Sequence, residues 1–151
     1  MKEITSRNQK TSGPLAGSST VSCKITSLSP EHCCTILESI GEAIVTIDLD
    51  RTITYFNPSA ETLTGYTPRK AVGQKCFDVF RTNLCERKCP LDETVANGDP
   101  QRTPRTSMLN RTGGEKTVSI STYPLRSENG EVIGVVESFR ASLNWSNSDD
   151  S

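Results

Sequence analysis

The stretch Gly41–Gly73, GEAIVTIDLDRTITYFNPSAETLTGYTPRKAVG, decides how the rest of the chain is organised. It opens with two short runs of β character, Ala43–Asp48 and Thr52–Phe56, joined by the polar turn Asp48-Leu49-Asp50-Arg51. Side chains alternate between faces along a strand, so Ala43, Val45 and Ile47 share one face and Ile44, Thr46 and Asp48 the other. Asn57-Pro58 then reads as a helix start. An Asn side chain accepts from a free N–H of the first turn, and Pro lacks the N–H that would go unpaired there. The helix continues through Ser59–Thr64, and Gly65 stands where a left-handed C-terminal cap is needed. A helix this short does not hold in water by itself, so it must pack on the sheet.

The run Tyr55-Phe56-Asn57-Pro58-Ser59-Ala60-Glu61-Thr62-Leu63-Thr64-Gly65-Tyr66, followed by Arg69-Lys70-Ala71-Val72-Gly73, strongly resembles a PAS domain. The resemblance covers roughly Cys34 to Arg140, and the string Asn…Ala-Glu…Leu-Thr-Gly-Tyr…Gly is its specific part. It implies an α+β fold: a five-stranded antiparallel sheet with short helices on one face, and a helical segment between the second and third strands. It also implies a signal-sensing and dimerisation module. More narrowly, the chain is similar to PAS domains at the front of bacterial enhancer-binding transcription activators and sensor kinases. Those often share a Cys…Cys…Cys pattern after the short helix, and Cys76, Cys85 and Cys89 match it.

At 151 residues the chain suits one domain with a real core. Its hydrophobic share of 33% is low for a globular domain, which suggests that part of the length is unfolded. The expected division is a disordered lead over residues 1–30, holding Cys23 as an exposed thiol, a PAS domain with its flanking helix over 31–141, and a polar tail over 142–151 that carries Trp145. A net charge of −1 gives no basic excess for phosphates, so direct nucleic-acid binding is not expected. No run approaches the ~18 apolar residues of a membrane span. The first twenty residues have no apolar core, so a secretory signal is not expected and the cytoplasm is the expected location. There the six cysteines are thiols or metal ligands rather than disulfides. The glycosylation-type triplets at Asn110 and Asn144 are then chance matches.

Around the deciding stretch the remaining elements follow from punctuation. Pro30-Glu31 opens a helix covering His32 to Ile40, with Ile36, Leu37 and Ile40 as a narrow apolar stripe. In the resembled family a helix here packs beside the sheet and often forms the dimer contact. Pro90–Gly98 is a second helix, with Pro first, Asp92 and Glu93 near its positive end, and Asn97-Gly98 closing it. Leu91 and Val95 share its sheet-facing side. Pro104–Leu109, Lys116–Tyr123 and Glu131–Phe139 read as strands, the last apolar enough to be central, with turns at Asn110–Gly114 and Asn129-Gly130.

Cys76, Cys85 and Cys89 have the spacing C-x8-C-x3-C, and Cys34 (or, second, Cys33) from the flanking helix offers a fourth thiolate. Four thiolates suit a structural zinc or an iron–sulfur cluster. Cys89 would face the positive end of the helix starting at Pro90, with Arg87 and Lys88 adjacent, a field that favours thiolate. C-x3-C is not the tight C-x2-C knuckle of most zinc sites, so a metal-free redox switch and inert packing of Cys76 as a small hydrophobe both stay open. His32, the one histidine, is read as a solvated residue at a helix start rather than a metal or haem ligand. A cysteine-phosphatase loop would need Arg six positions beyond the nucleophile, where Ser39 and Ile40 stand instead. Cys76 occupies a place similar to the reactive cysteine of the family's light-sensing flavin branch. It is flanked by Lys75 and Phe77-Asp78 rather than that branch's Asn-Cys-Arg-Phe-Leu-Gln string, so flavin, like haem, is not expected.

These readings predict a module without catalysis, since the thiols have no convincing base partner. The main expectation is a redox- or metal-responsive sensor acting on transcription or two-component signalling through protein contacts. Its partner would be an output domain in trans or a second copy. The alternative is a cofactor-free dimerisation or interaction module.

Overall fold

The computed structural model describes residues 29–142. The expected lead with Cys23 and the expected tail with Trp145 lie outside the described residues, apart from the residues at their inner edges. The chain divides into two units between Cys33 and Cys34. Of the first, the described part is a helix start at which Ser29 and His32 cap one another. The His32 N–H donates to Ser29 Oγ at 3.2 Å, and the Ser29 N–H donates to His32 Nδ1 at 3.2 Å. His32 is thus an exposed capping group, as its position predicted.

Helix α1 is Pro30–Ser39, followed by strands β1 (Ala43–Asp48) and β2 (Ile53–Phe56). Three short helices come next, α2 (Pro58–Thr64), α3 (Pro68–Ala71) and α4 (Cys76–Val79), then β3 (Arg81–Thr82) and helix α5 (Pro90–Asn97). Strands β4 (Gln101–Leu109), β5 (Glu115–Arg126) and β6 (Val132–Ala141) complete the domain. The strands form one antiparallel sheet in the order β2-β1-β6-β5-β4-β3. The five expected strands are all present. The sixth, β3, is a two-residue edge piece pairing Arg81 with Leu109 and Thr82 with Met108, too short to leave a periodic signal. Strand β4 starts three residues before the expected Pro104. Its register shifts between Thr103 and Thr106, an irregularity that accommodates a proline with no N–H to donate.

Strand β6 lies between β1 and β5, the central place its apolar run predicted. Ala43, Val45 and Ile47 are buried on the inner face, and α2 and α5 cover that face over β1 and over β4–β6. Leu91 is buried beneath α5, and Val95 packs beside it. Phe80, just past α4, stacks on Phe139 of β6 with ring centroids 4.3 Å apart and planes at 6°, and tilts against Phe56 at 5.8 Å. Gly134 is required where β6 meets β1: a Cβ there would stand 2.4 Å from the Ile47 carbonyl oxygen.

The junction predicted at Asn57 is present and is larger than a cap. Asn57 is fully buried. Its Oδ1 accepts from the N–H of Ala60 at 2.9 Å and of Ile44 at 3.0 Å. Its Nδ2 donates to the carbonyls of Leu37 at 3.1 Å and Glu42 at 3.0 Å. One side chain therefore joins α1, the linker after it, β1 and α2. Gly65 closes α2 at φ 84°, its N–H on the Glu61 carbonyl.

Candidate functional site

Three of the predicted cysteines meet. Cys76 opens α4, its N–H donating to the Arg51 carbonyl at 2.8 Å, and its side chain is buried. Cys85 lies in the turn after β3, where Sγ donates to the Phe80 carbonyl at 3.3 Å and stands 3.5 Å from Thr82 Oγ1. Cys89 holds the N-cap position of α5 without a capping hydrogen bond, and Arg51 Nη1 donates to its Sγ at 3.7 Å. These thiols, spaced C-x8-C-x3-C, line one cavity of about 30 Å³ together with Phe80, Glu137 and Phe139. Cys34 is not among its lining residues: it is exposed on α1, and Cys33 is exposed as well.

Glu137 is the group the sequence reading passed over. It sits in the most apolar strand, yet it alternates with Val135 and Phe139, so parity alone puts it on the inner face. That alternation was the available signal. It is buried and lines the cavity. Burial pushes the carboxyl up to about 7. The Cys76 thiol is pushed up to about 12, first by burial, then by the negative charges that Glu137, Cys89 and Cys85 would carry, against a smaller opposing effect of Arg51. At Cys76 the surroundings therefore oppose the thiolate. Arg51, held at φ 68° in the β1–β2 turn, is the cation nearest the site, and its other nitrogen is 2.5 Å from Asp92 Oδ1.

The cavity has room for one ion or water, since a site needs only about 10–15 Å³ to hold a water. An iron–sulfur cluster, a flavin or a haem does not fit about 30 Å³. Among the described residues no three His, Cys, Asp or Glu side chains stand close enough to hold a metal ion as they are. Beside the cavity lies an open cleft of about 850 Å³ with Arg51, Asp78, Arg81 and Arg87 on its walls; Thr82 and Cys85 belong to both.

The outer face of the sheet carries a second feature. Strand register places Tyr55, Thr46, Val136 and Tyr123 in one row across β2, β1, β6 and β5. Tyr123 is 43% exposed at one end of that row. At the other end the Tyr55 phenol is raised by burial and by the charge of Glu38, so α1 approaches this end. Ile36 of α1 is 47% exposed. No helix among the described residues is long and apolar enough to cross a membrane.

Comparison with known proteins agrees with this architecture. The chain is 36% identical over 103 residues to the probable diguanylate cyclase DgcE of Escherichia coli, a match covering 66% of this chain and 9% of that protein. It is 27% identical over 106 residues to the signal transduction histidine-protein kinase AtoS of Escherichia coli, covering 69% of this chain and 17% of the kinase. The chain thus spans a small fraction of the curated relatives it matches. A PAS domain crystal structure from Colwellia psychrerythraea superposes with a TM-score of 0.67 at 23% identity, covering 74% of this chain and 95% of that one. At that identity the likeness shows the fold alone. The family model described as the PAS fold matches residues 37–141, well over half of the chain, and the protein belongs to that family.

Proposed function

We propose that this PAS domain is a regulatory module of the cytoplasm that works by protein–protein contact through α1 and the outer sheet face, with a second copy or an output partner in trans. The observation that carries the reading is the exposure of two large apolar side chains, Tyr123 on the outer sheet face at 43% and Ile36 on α1 at 47%. Exposed large apolar side chains grouped on one face mark contact surfaces. The two signalling enzymes it resembles fit this reading, because in each the matching stretch is a small part of a longer chain. Sedimentation velocity tests it. Wild type should associate in the micromolar range, and an Ile36→Asp, Tyr123→Asp variant should sediment as a monomer with unchanged circular dichroism. A wild type that stays monomeric at high micromolar concentration, alone and with candidate output domains, overturns it.

A second reading, a metal- or redox-responsive sensor acting on transcription or two-component signalling, is favoured by one observation. Cys76, Cys85 and Cys89 come from three separate segments and line one cavity. Metal analysis of protein purified without oxygen, with and without Cys76→Ser, tests that reading. Metal-free wild type whose stability is indifferent to oxidants sinks it.

A further inference from the structure

We propose that the open cleft of about 850 Å³ beside the cavity binds a small organic monocarboxylate, its carboxylate facing Arg81 and Arg87 and its apolar body lying on Phe77. The cleft gathers side chains from three segments. Arg51 comes from the β1–β2 turn, Phe77 and Asp78 from α4, and Arg81, Glu86 and Arg87 from β3 and the turn after it. Arg51 is already held by Asp92 and Cys89. Arg81 is only partly engaged. Its Nη2 donates to the Asn110 carbonyl, while its Nε is shut from water and has no hydrogen-bond partner among the described residues. A guanidinium carries five N–H donors, and a buried one left without an acceptor is uncommon enough to need a reason. Arg87 is exposed and forms no ion pair among the described residues.

Size, surface and charge then narrow the ligand. A cleft of about 850 Å³ lies within the range of about 300–1,000 Å³ that buries small molecules. Phe77 is 42% exposed, although an aromatic ring ordinarily finds apolar cover, and it is the large apolar surface of a lining that is otherwise mostly polar and charged. Guanidinium groups hold a carboxylate through paired N–H donors, which makes arginine the natural partner for that group. Two carboxylates, Asp78 and Glu86, stand on the same walls, and both residues are exposed. They repel any further negative charge, so a single carboxylate fits where a polyphosphate or a tricarboxylate does not. The cleft is open to solvent and admits the ligand as it stands. It shares only Thr82 and Cys85 with the enclosed cavity, and neither Ile36 nor Tyr123 of the proposed contact surface lines it. A ligand that touches both Phe77 and Arg87 ties the turn after β3 to α4.

The test titrates the full chain with benzoate, by calorimetry and by NMR of the backbone amides. One benzoate should bind per chain with a Kd near or below about 1 mM, modest for a ligand of so few atoms. The largest amide shifts should fall at Arg51 and between Phe77 and Arg87. Arg87→Gln should weaken binding by about tenfold or more, on the scale of a lost charge-assisted hydrogen bond. Glu86→Gln should tighten it, because a like charge is removed from the wall. Phe77→Ala should bring benzoate down to the affinity of acetate. Benzamide and benzylammonium, which keep the ring and lack the carboxylate, should not bind. Arg81→Gln should also weaken binding, and should it fail to fold for want of the bond to Asn110, Arg87→Gln and Glu86→Gln at exposed positions still decide. Wild-type protein that shows no saturation by about 10 mM benzoate overturns the site. Wild-type affinity in Arg87→Gln, or benzamide binding as tightly as benzoate, overturns the carboxylate as the recognised group. Citrate or inorganic phosphate binding more tightly than benzoate overturns the fit to a single charge on an apolar body.

Discussion

Replacing Asn57 with Ala is the most demanding test of the fold. An ordinary N-cap loses one hydrogen bond on such a change and costs about 1 kcal/mol. Asn57 makes four bonds through its side chain, two accepted and two donated, and is fully buried. The Ala60 N–H retains the Asn57 carbonyl at 3.0 Å. The Ile44 N–H and the Leu37 and Glu42 carbonyls lose the amide, in a place where water does not readily replace it. At about 1 kcal/mol net per bond, and more for any group left unpaired, the change should cost about 3–5 kcal/mol. That is a large share of the roughly 5–15 kcal/mol by which domains are stable. Thr67→Ala is the control: Thr67 caps α3 through one bond to the Lys70 N–H and is exposed, so its cost should stay near about 1 kcal/mol. Urea unfolding followed by circular dichroism measures both. With a slope of about 1–3 kcal/mol per molar, Asn57→Ala should lower the midpoint by more than about 1 M. Equal losses in the two variants would refute the reasoning, because the bonds to α1, the linker and β1 would then contribute nothing.

Three further outcomes are expected. Gly134→Ala should destabilise by about 1–3 kcal/mol or more in the same assay, since its methyl would be driven against the Ile47 carbonyl, whereas Gly41→Ala, with open space around it, should not. In metal-free protein the buried Glu137, raised to about 7, binds a proton more tightly folded than unfolded. Stability should therefore fall as the pH rises from about 4.5 through 7, by at most about 3 kcal/mol, and Glu137→Gln should flatten that slope in melts from pH 5 to 8. Iodoacetamide at pH 8 should label the exposed Cys33 and Cys34 well before Cys76, whose thiol is buried and pushed up to about 12; equal rates by mass spectrometry would contradict the burial of α4's first residue.

Much of this architecture is legible in the chain because local rules and tertiary demands agree there. Asn57, Pro58 and Gly65 bound α2 by cap chemistry, and α5 is bounded by Pro90 at its first position and Gly98 in the left-handed conformation at its end. The inner-face set Ala43, Val45 and Ile47 follows from alternation alone. What the chain conceals is set by partners remote in sequence. Strand β3 exists only because β4 passes beside Arg81 and Thr82. The four-bond role of Asn57 depends on Leu37 and Glu42 arriving from the other side of β1. The cysteine site divides along the same line. The C-x8-C-x3-C spacing marked three thiols that line one cavity, while Cys34, expected as a fourth donor from the flanking helix of the resembled fold, is an exposed helix residue outside that lining. Glu137 was readable only by applying strand parity inside an apolar run, where a single carboxylate is easily taken for an outward residue.

The placement of Glu137 also bears on how an event in the cavity would reach a partner. Residues on opposite faces of a strand are one peptide apart, so a side chain drawn inward moves its neighbours directly. Glu137 faces the cavity between Val136 and Ser138, and Val136 pairs with Thr46 on one side and Tyr123 on the other. Tyr123 is the exposed end of the outer row, and Tyr55, beneath Glu38 of α1, is its other end. The route from cavity to proposed contact surface thus crosses one strand and no loop. A close-packed sheet transmits small displacements rather than absorbing them. Protonation of Glu137, ligation of an ion or oxidation of a neighbouring thiol would all act at that same point. A bulkier Glu137→Phe variant, which fills the cavity permanently, should therefore lock association in one state, and association that remains sensitive to Zn²⁺ or oxidant in that variant would show that the signal travels by another path.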